Sequence, residues 1–226
     1  NNDKQAEREN EEFHASSAGS CYRKQMYSFF GYETKGLDDK SLRLLRLGTI
    51  VHEDLEKAMS KIQDDNPQKD LYIEEKIFVP ELNVVGTFDL GERKDNVFNV
   101  YDYKTVAAYK WTTKFGRKVK TTDRNYKLQL GTYGLGILQN PKIEKINLFL
   151  VWYNKNTSMM REQIVGNSYI EEAKHYWEDV NIILDEYGED FEKSDELEPS
   201  ISYGTPFEDW ECRYCSYSNI CPTPIK

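Results

Sequence analysis

Asp89, Asp102 and Lys104 are the residues of this 226-residue chain whose types and spacing best suit chemistry. Asp89 falls near the end of the hydrophobic run Val84-Val85-Gly86-Thr87-Phe88-Asp89-Leu90. Asp102 and Lys104 alternate with Tyr101 and Tyr103 in a second run, Val97 to Thr105. Strand residues two apart share a face, so the second carboxylate and the amine project together. Two carboxylates and an amine beside a sheet core are costly unless they bind something. A divalent cation held by carboxylates, with a lysine beside it, suits the cutting of phosphodiesters. His52 borders the apolar face of a helix, with Gly48 one turn earlier leaving room beside the imidazole. A lone histidine in such a place is more often a packing or surface residue. With two carboxylates and a lysine on nearby strands, it reads as a metal ligand.

The elements that must position these groups are legible from periodicity. The two runs form strands around a polar turn, Gly91 to Asn96. Ser41 is the expected cap of a helix whose apolar positions, Leu44, Leu47, Val51, Leu55, Ala58 and Ile62, step by three and four. Upstream, Ser16, Ser17 and Ser20 offer caps for a helix through Cys21, Tyr22, Tyr27 and Phe30, ending near Gly31. Asp64 to Asp70 reads as a turn, and Leu71 to Val79 as a strand leading through Pro80 into the hairpin. Asn125 to Leu138 is an expected helix on which Gln129 and Tyr133, four apart, share a face. Strands follow at Ile146 to Tyr153 and Met160 to Val165, then a helix capped by Ser168 and running through Ala173, Tyr176, Val180, Ile183 and Tyr187. This order predicts an α/β fold, a central mixed β-sheet of four or five strands flanked by helices. It forms one domain over residues 1–226, with a polar leader to about residue 15, a core over 41–190, and flanking segments 16–31 and 199–226.

Net charge is −9, which argues against a nucleic-acid partner, but the charge is unevenly placed. Lys104, Lys110, Lys114, Arg117, Lys118, Lys120, Arg124 and Lys127 lie in one stretch with Asp123 as its single acid. A charge run is commonly a solvated face. Directly after the Asp-x-Lys strand, it reads instead as a phosphate-backbone surface, with Lys110, Lys114, Arg117, Lys118, Lys120 and Arg124 as DNA contacts. Tyr109, Trp111 and Phe115 are interleaved there to stack on unpaired bases. Residues 185–198 reverse the balance, with eight acids and one lysine. No apolar run approaches the roughly 20 residues of a membrane span. The amino end is polar and lacks a signal-peptide pattern, so a cytoplasmic protein is expected.

The four cysteines are Cys21 and a terminal C-x2-C-x5-C made by Cys212, Cys215 and Cys221. Disulfides fit poorly with a cytosolic chain, and residues three apart seldom meet bridge geometry. Three thiols within ten residues point to a metal. Zinc and an iron–sulfur cluster both accept four thiolates, and spacing alone does not separate them. In either case the fourth ligand would be Cys21, pinning the carboxy-terminal segment to the first helix.

With these residues placed, the chain resembles the PD-(D/E)XK nuclease superfamily, and within it the RecB-like branch with an iron–sulfur cluster. That branch includes CRISPR-associated exonucleases and the AddB nuclease domain. The resemblance runs from about residue 16 to 222 on pieces in the family's order. These are Cys21-Tyr22-Arg23 after a serine-rich lead, Gly48-Thr49-x-x-His52, Gly86-x-x-Asp89, Asp102-Tyr103-Lys104-Thr105, Gln129-x-x-x-Tyr133 and the terminal C-x2-C-x5-C. It implies a restriction-endonuclease-like core in which His52, Asp89, Asp102 and the backbone carbonyl of Tyr103 bind Mg2+ or Mn2+. Lys104 orients or activates water and offsets phosphate charge, and is expected to have a depressed pKa. Gln129 and Tyr133 position the substrate or the lysine, and Cys21, Cys212, Cys215 and Cys221 hold a 4Fe–4S cluster. The implied activity is exonucleolytic cleavage of single-stranded DNA or DNA ends. The rivals are a structure-specific endonuclease for recombination or CRISPR adaptation and a non-catalytic DNA-binding subunit. No G-x-x-x-x-G-K-[ST] run occurs, so any unwinding would fall to a helicase partner.

Overall fold

Residues 12–116, 123–193, 212 and 214–221 are described by the computed structural model. Its strands are β1 (Phe13–His14), β2 (Asp70–Val79), β3 (Val84–Lys94), β4 (Val97–Val106), β5 (Lys145–Asn154) and β6 (Met160–Val165). Its α-helices are α1 (Tyr22–Phe29), α2 (Asp39–Asp65), α3 (Ala108–Phe115), α4 (Arg124–Ile137) and α5 (Ser168–Tyr187). The strands form one mixed sheet, ordered β1-β3-β4-β5-β6 with β2 on β3. Pairing of β4 with β5 is parallel from Val97↔Lys145 to Val106↔Asn154, with α3 and α4 in the crossover that a parallel pair requires.

Pairing between β3 and β4 runs from Lys94↔Val97 to Leu90↔Tyr101. At the other end of β3, the short β1 pairs with Val84 and Val85 in parallel. Between those two pairings lies Gly86–Asp89, where β3 and β4 part. One sheet face carries the main core, in which Phe98, Val100, Leu148, Leu150 and Trp152 pack with Leu128, Tyr133 and Trp177 of α4 and α5. The opposite face has a smaller cluster, Leu90, Tyr103 and Val151, covered by Leu55 and Met59 of α2.

Strict alternation fails at one place in β2 and β3. Tyr72, Ile77 and Val79 pack on the main core while Ile73 joins the smaller cluster, so the strand switches faces between residues 73 and 77. On β3, Phe88 faces the main core and Leu90 the smaller cluster, although they are two apart. The pairs flanking this switch are Ile73↔Leu90 and Glu75↔Phe88. Glu74 lies between them opposite Asp89, with a left-handed φ of 51° that is uncommon for a residue bearing a Cβ.

Several local expectations need correction. The turn is the two residues Asp95 and Asn96, not Gly91 to Asn96. The polar residues before it belong to β3, where Arg93 pairs with Asp70 of β2 at 2.8 Å. Asp38, not Ser41, caps α2, its Oδ1 accepting from the Ser41 N–H at 2.7 Å. Asn167 rather than Ser168 holds the cap position of α5. The apolar stripe of α2 is not buried along its length. Leu44 and Leu47 are 49% and 42% exposed, because the sheet face beneath offers only a small apolar cluster to cover. Helix α3 occupies part of the stretch read as a basic segment. Strand β1 lies within the stretch read as leader, with Phe13 and Ala15 buried. Residues 1–11, 194–211 and 222–226 lie outside the described residues.

Candidate active site

The parting of β3 and β4 brings the expected residues together. The His52 Nδ1 lies 3.2 Å from Asp89 Oδ1, and the Tyr103 backbone N–H donates to Asp89 Oδ2. Lys104 Nζ is 2.6 Å from Asp102 Oδ2 and donates to Gln129 Oε1 at 2.9 Å. Gln129 Nε2 in turn donates to the Tyr133 hydroxyl at 2.6 Å. Helix α4 thus brings Gln129 to the lysine, and Tyr133, one turn on, to Gln129, as their spacing allows. Both are buried, so Gln129 is not a surface amide.

Two glycines permit these approaches. A Cβ at Gly48 would sit 3.2 Å from Thr105 Oγ1, so its absence lets α2 lie close to β4. A Cβ at Gly86 would meet Ala15 Cβ at 2.7 Å and the Tyr133 ring at 2.9 Å. A cleft of about 730 Å³ opens over His52, Asp89, Asp102, Lys104, Gln129 and Tyr133, and is also lined by His14, Ser16 and Lys76.

Burial, partly offset by Lys104, raises the Asp102 carboxyl to about 6. For Lys104, burial acts to lower the amine, but the Asp102 carboxylate at hydrogen-bond distance outweighs it, and the net direction is upward. The expectation of a depressed lysine took in burial and a nearby cation; the buried Asp102 carboxylate acts in the opposite direction. His52 is raised, chiefly by its hydrogen bond to Asp89.

His52 and Asp89 each offer a ligand atom, and so does Glu74. The three atoms lie within 4.8 Å of one another. Glu74 lies within the strand expected over Leu71 to Val79. Its sequence signal was faint, an acidic Glu74-Glu75 pair inside an otherwise apolar-rich strand.

Elsewhere the basic stretch is partly engaged within the protein. Lys114 is buried, pairs with Asp123, and places its ammonium 4.0 Å from the centre of the Trp152 ring. Lys110 pairs with Asp123 at 2.8 Å, and Arg124 lies 3.7 Å from Glu172. Trp111 and Phe115 pack on each other at 4.7 Å, whereas Tyr109 is exposed. Arg117, Lys118 and Lys120 lie outside the described residues.

The carboxy-terminal cysteine segment meets α1. Tyr217 is buried and stacks on Tyr27 at 5.2 Å, and the Lys35 N–H donates to the Ser216 carbonyl at 2.7 Å. Cys21 precedes α1. Burial raises its thiol, backbone N–H groups of Lys24 and Arg23 act against this, and Cys221 and Cys215 are close enough to interact with it electrostatically.

A mixed sheet whose central strands part over clustered carboxylates and a lysine defines a nuclease-type α/β core. The sequence profile of the PD-(D/E)XK nuclease superfamily matches residues 67–222. The chain belongs to that superfamily. Among solved structures, the protein SSO0001 is 17% identical, with a TM-score of 0.53 over 98% of this chain and 91% of its own. The alkaline exonuclease LHK-Exo from Laribacter hongkongensis is 12% identical, with a TM-score of 0.52 over 82% of this chain and 93% of its own. A candidate exonuclease from Eubacterium rectale is 19% identical, with a TM-score of 0.52 over 96% and 91%. At such identities the likeness concerns the fold. No curated protein matches the chain. Among the described residues, no helix is long and apolar enough to cross a membrane.

Proposed function

We propose that this protein is a divalent-metal-dependent deoxyribonuclease that acts exonucleolytically on single-stranded DNA or DNA ends. The observation that carries this reading is the convergence of Asp89, Asp102 and Lys104 where β3 and β4 part, with His52 brought in by α2 and Gln129 by α4. The exonuclease from Laribacter hongkongensis, which shares the fold, supports the exonucleolytic form.

The donor set suits Mg2+ or Mn2+, with one imidazole, carboxylate oxygens and a backbone carbonyl. His52, Asp89, Asp102 and the Tyr103 carbonyl would hold the cation, which supplies charge stabilisation at the phosphate and a more acidic water. Tyr103 directs its N–H towards β3, and the carbonyl of a strand residue points to the same side as its N–H. Lys104, 2.6 Å from Asp102, would orient or activate the attacking water and offset phosphate charge. Gln129 fixes the amine through its carbonyl oxygen, and Tyr133 fixes the amide of Gln129. Tyr109, exposed on α3, is a base-stacking residue in this reading.

The four cysteines would hold a 4Fe–4S cluster of the RecB-like type, with a structural role. Support comes from Cys21 lying at the start of α1 within interaction range of Cys215 and Cys221.

End-labelled single-stranded DNA incubated with anaerobically purified protein tests the activity, using Mn2+, Mg2+ or EDTA. Cleavage by the parent that disappears in EDTA is expected. Asp102→Ala and Lys104→Ala should each lower the rate by about 10^3-fold or more with unchanged circular dichroism. Retained cleavage in both variants rejects the site. Cutting of a circular strand would favour the endonuclease, and no cleavage with any metal would favour a DNA-binding subunit.

A further inference from the structure

We infer that Glu74 is a ligand of the divalent cation, forming with His52 and Asp89 a cation subsite on the α2 side of Asp89. This rests on the metal-dependent reading of the site and adds a residue to it.

Three observations converge. First, the register that pairs Ile73 with Leu90 and Glu75 with Phe88 sets Glu74 directly opposite Asp89. Like charges directly opposite on neighbouring strands destabilise a sheet. Here the two strands switch faces at that pair, and both carboxylates are left beside the same imidazole. Second, one ligand atom from each of His52, Glu74 and Asp89 lies within 4.8 Å of the other two. Ligands at about 2.0–2.4 Å from one ion lie about 3 Å apart when adjacent and up to about 4–5 Å apart when opposed, so atoms within 4.8 Å of one another can share an ion. Third, the imidazole adds a nitrogen donor to the carboxylates, and the cleft that opens over His52 and Asp89 gives a cation access to them. Lys104 is engaged by Asp102 and Gln129.

Asp89 is placed to serve both sides. Its Oδ1 faces His52, and its Oδ2 faces the backbone of Tyr103. Asp102 is buried and held by Lys104, so it cannot by itself complete the ligand shell on the open side. A carboxylate from β2 fills that role.

The test is Mn2+ binding to the folded protein without DNA, measured by calorimetry and by the electron paramagnetic resonance of free Mn2+. Parent, Glu74→Gln, Glu75→Gln and Asp89→Asn are compared, with circular dichroism as a check on folding. Expected are a loss of about tenfold or more in Mn2+ affinity for Glu74→Gln and a change within about twofold for Glu75→Gln. Glu74→Gln binding as tightly as the parent overturns the inference, as does an equal loss in Glu75→Gln. If Asp89→Asn loses Mn2+ and Glu74→Gln does not, the nuclease reading stands and the role of Glu74 falls. If the parent binds no Mn2+, both fall.

Discussion

Asp123 shows how one residue can redirect a charged stretch. It enters α4 with a left-handed φ of 49° and gathers Lys110 and Lys114 from α3. Burial pushes its carboxyl up, but the hydrogen bonds and charges of the two lysines more than offset this and leave it below the ordinary carboxylate range. A folded value below the unfolded one stabilises the protein above the unfolded pKa of about 3.9, and that contribution is lost as pH falls through the folded value. Asp123→Asn is expected to cost about 3 kcal/mol at neutral pH, because it leaves Lys114 buried without its partner. The difference from the parent should shrink as pH falls below about 3.9 and through the folded value, where Asp123 also becomes neutral; urea unfolding across a pH series measures it. Asp102 shifts the other way, to about 6, because burial dominates there. The two aspartates differ in their partners, which the identity of the residue does not disclose.

At the scale of elements, the site depends on how closely α4 can approach its neighbours. A Cβ on Gly131 would lie 2.0 Å from the Tyr169 carbonyl oxygen of α5, so α4 and α5 touch through backbone at this point. Gly131→Ala must push the helices apart and is expected to cost about 2 kcal/mol or more. Gly36→Ala, with no atom within 4 Å of the added carbon, should stay within about 0.5 kcal/mol. Denaturant midpoints of the two variants provide the comparison, and equal midpoints would refute the backbone contact. Gly86 acts similarly between Ala15, which follows β1, and Tyr133, and so links the segment after β1 to the positioning of Gln129. The helix and strand order was legible because hydrophobic periodicity is local. A two-residue strand such as β1 has no period to read, and α3 was obscured by its charges.

For the molecule as a whole, the carboxy-terminal segment is brought back to α1 through Tyr217, Ser216 and the cysteines. If these thiols hold a cluster, its metal-binding energy contributes to the stability of the fold. Cys215→Ser is accordingly expected to lose iron and sulfide and the brown colour together, and to lower the melting temperature. Zinc in place of iron would retain the staple and reject the cluster. The net charge of −9 makes DNA binding depend on local positive charge, of which Lys114 is already committed internally.

The sequence by itself determined the α/β class and the order of the principal strands and helices, and it named His52, Asp89, Asp102, Lys104, Gln129 and Tyr133 as candidates, which the fold brings to one cleft. Each of these follows from local spacing or from a family resemblance carried by short motifs. Tertiary structure alone decided where β3 parts from β4, that β2 and β3 switch faces at Glu74 and Asp89, and that Lys104 is raised rather than lowered. It also decided that Lys114 is turned inward onto Asp123. These features share one physical cause. Each depends on a partner far away in the chain, whose burial, charge or approach sets the energy of a group that the local pattern leaves undetermined.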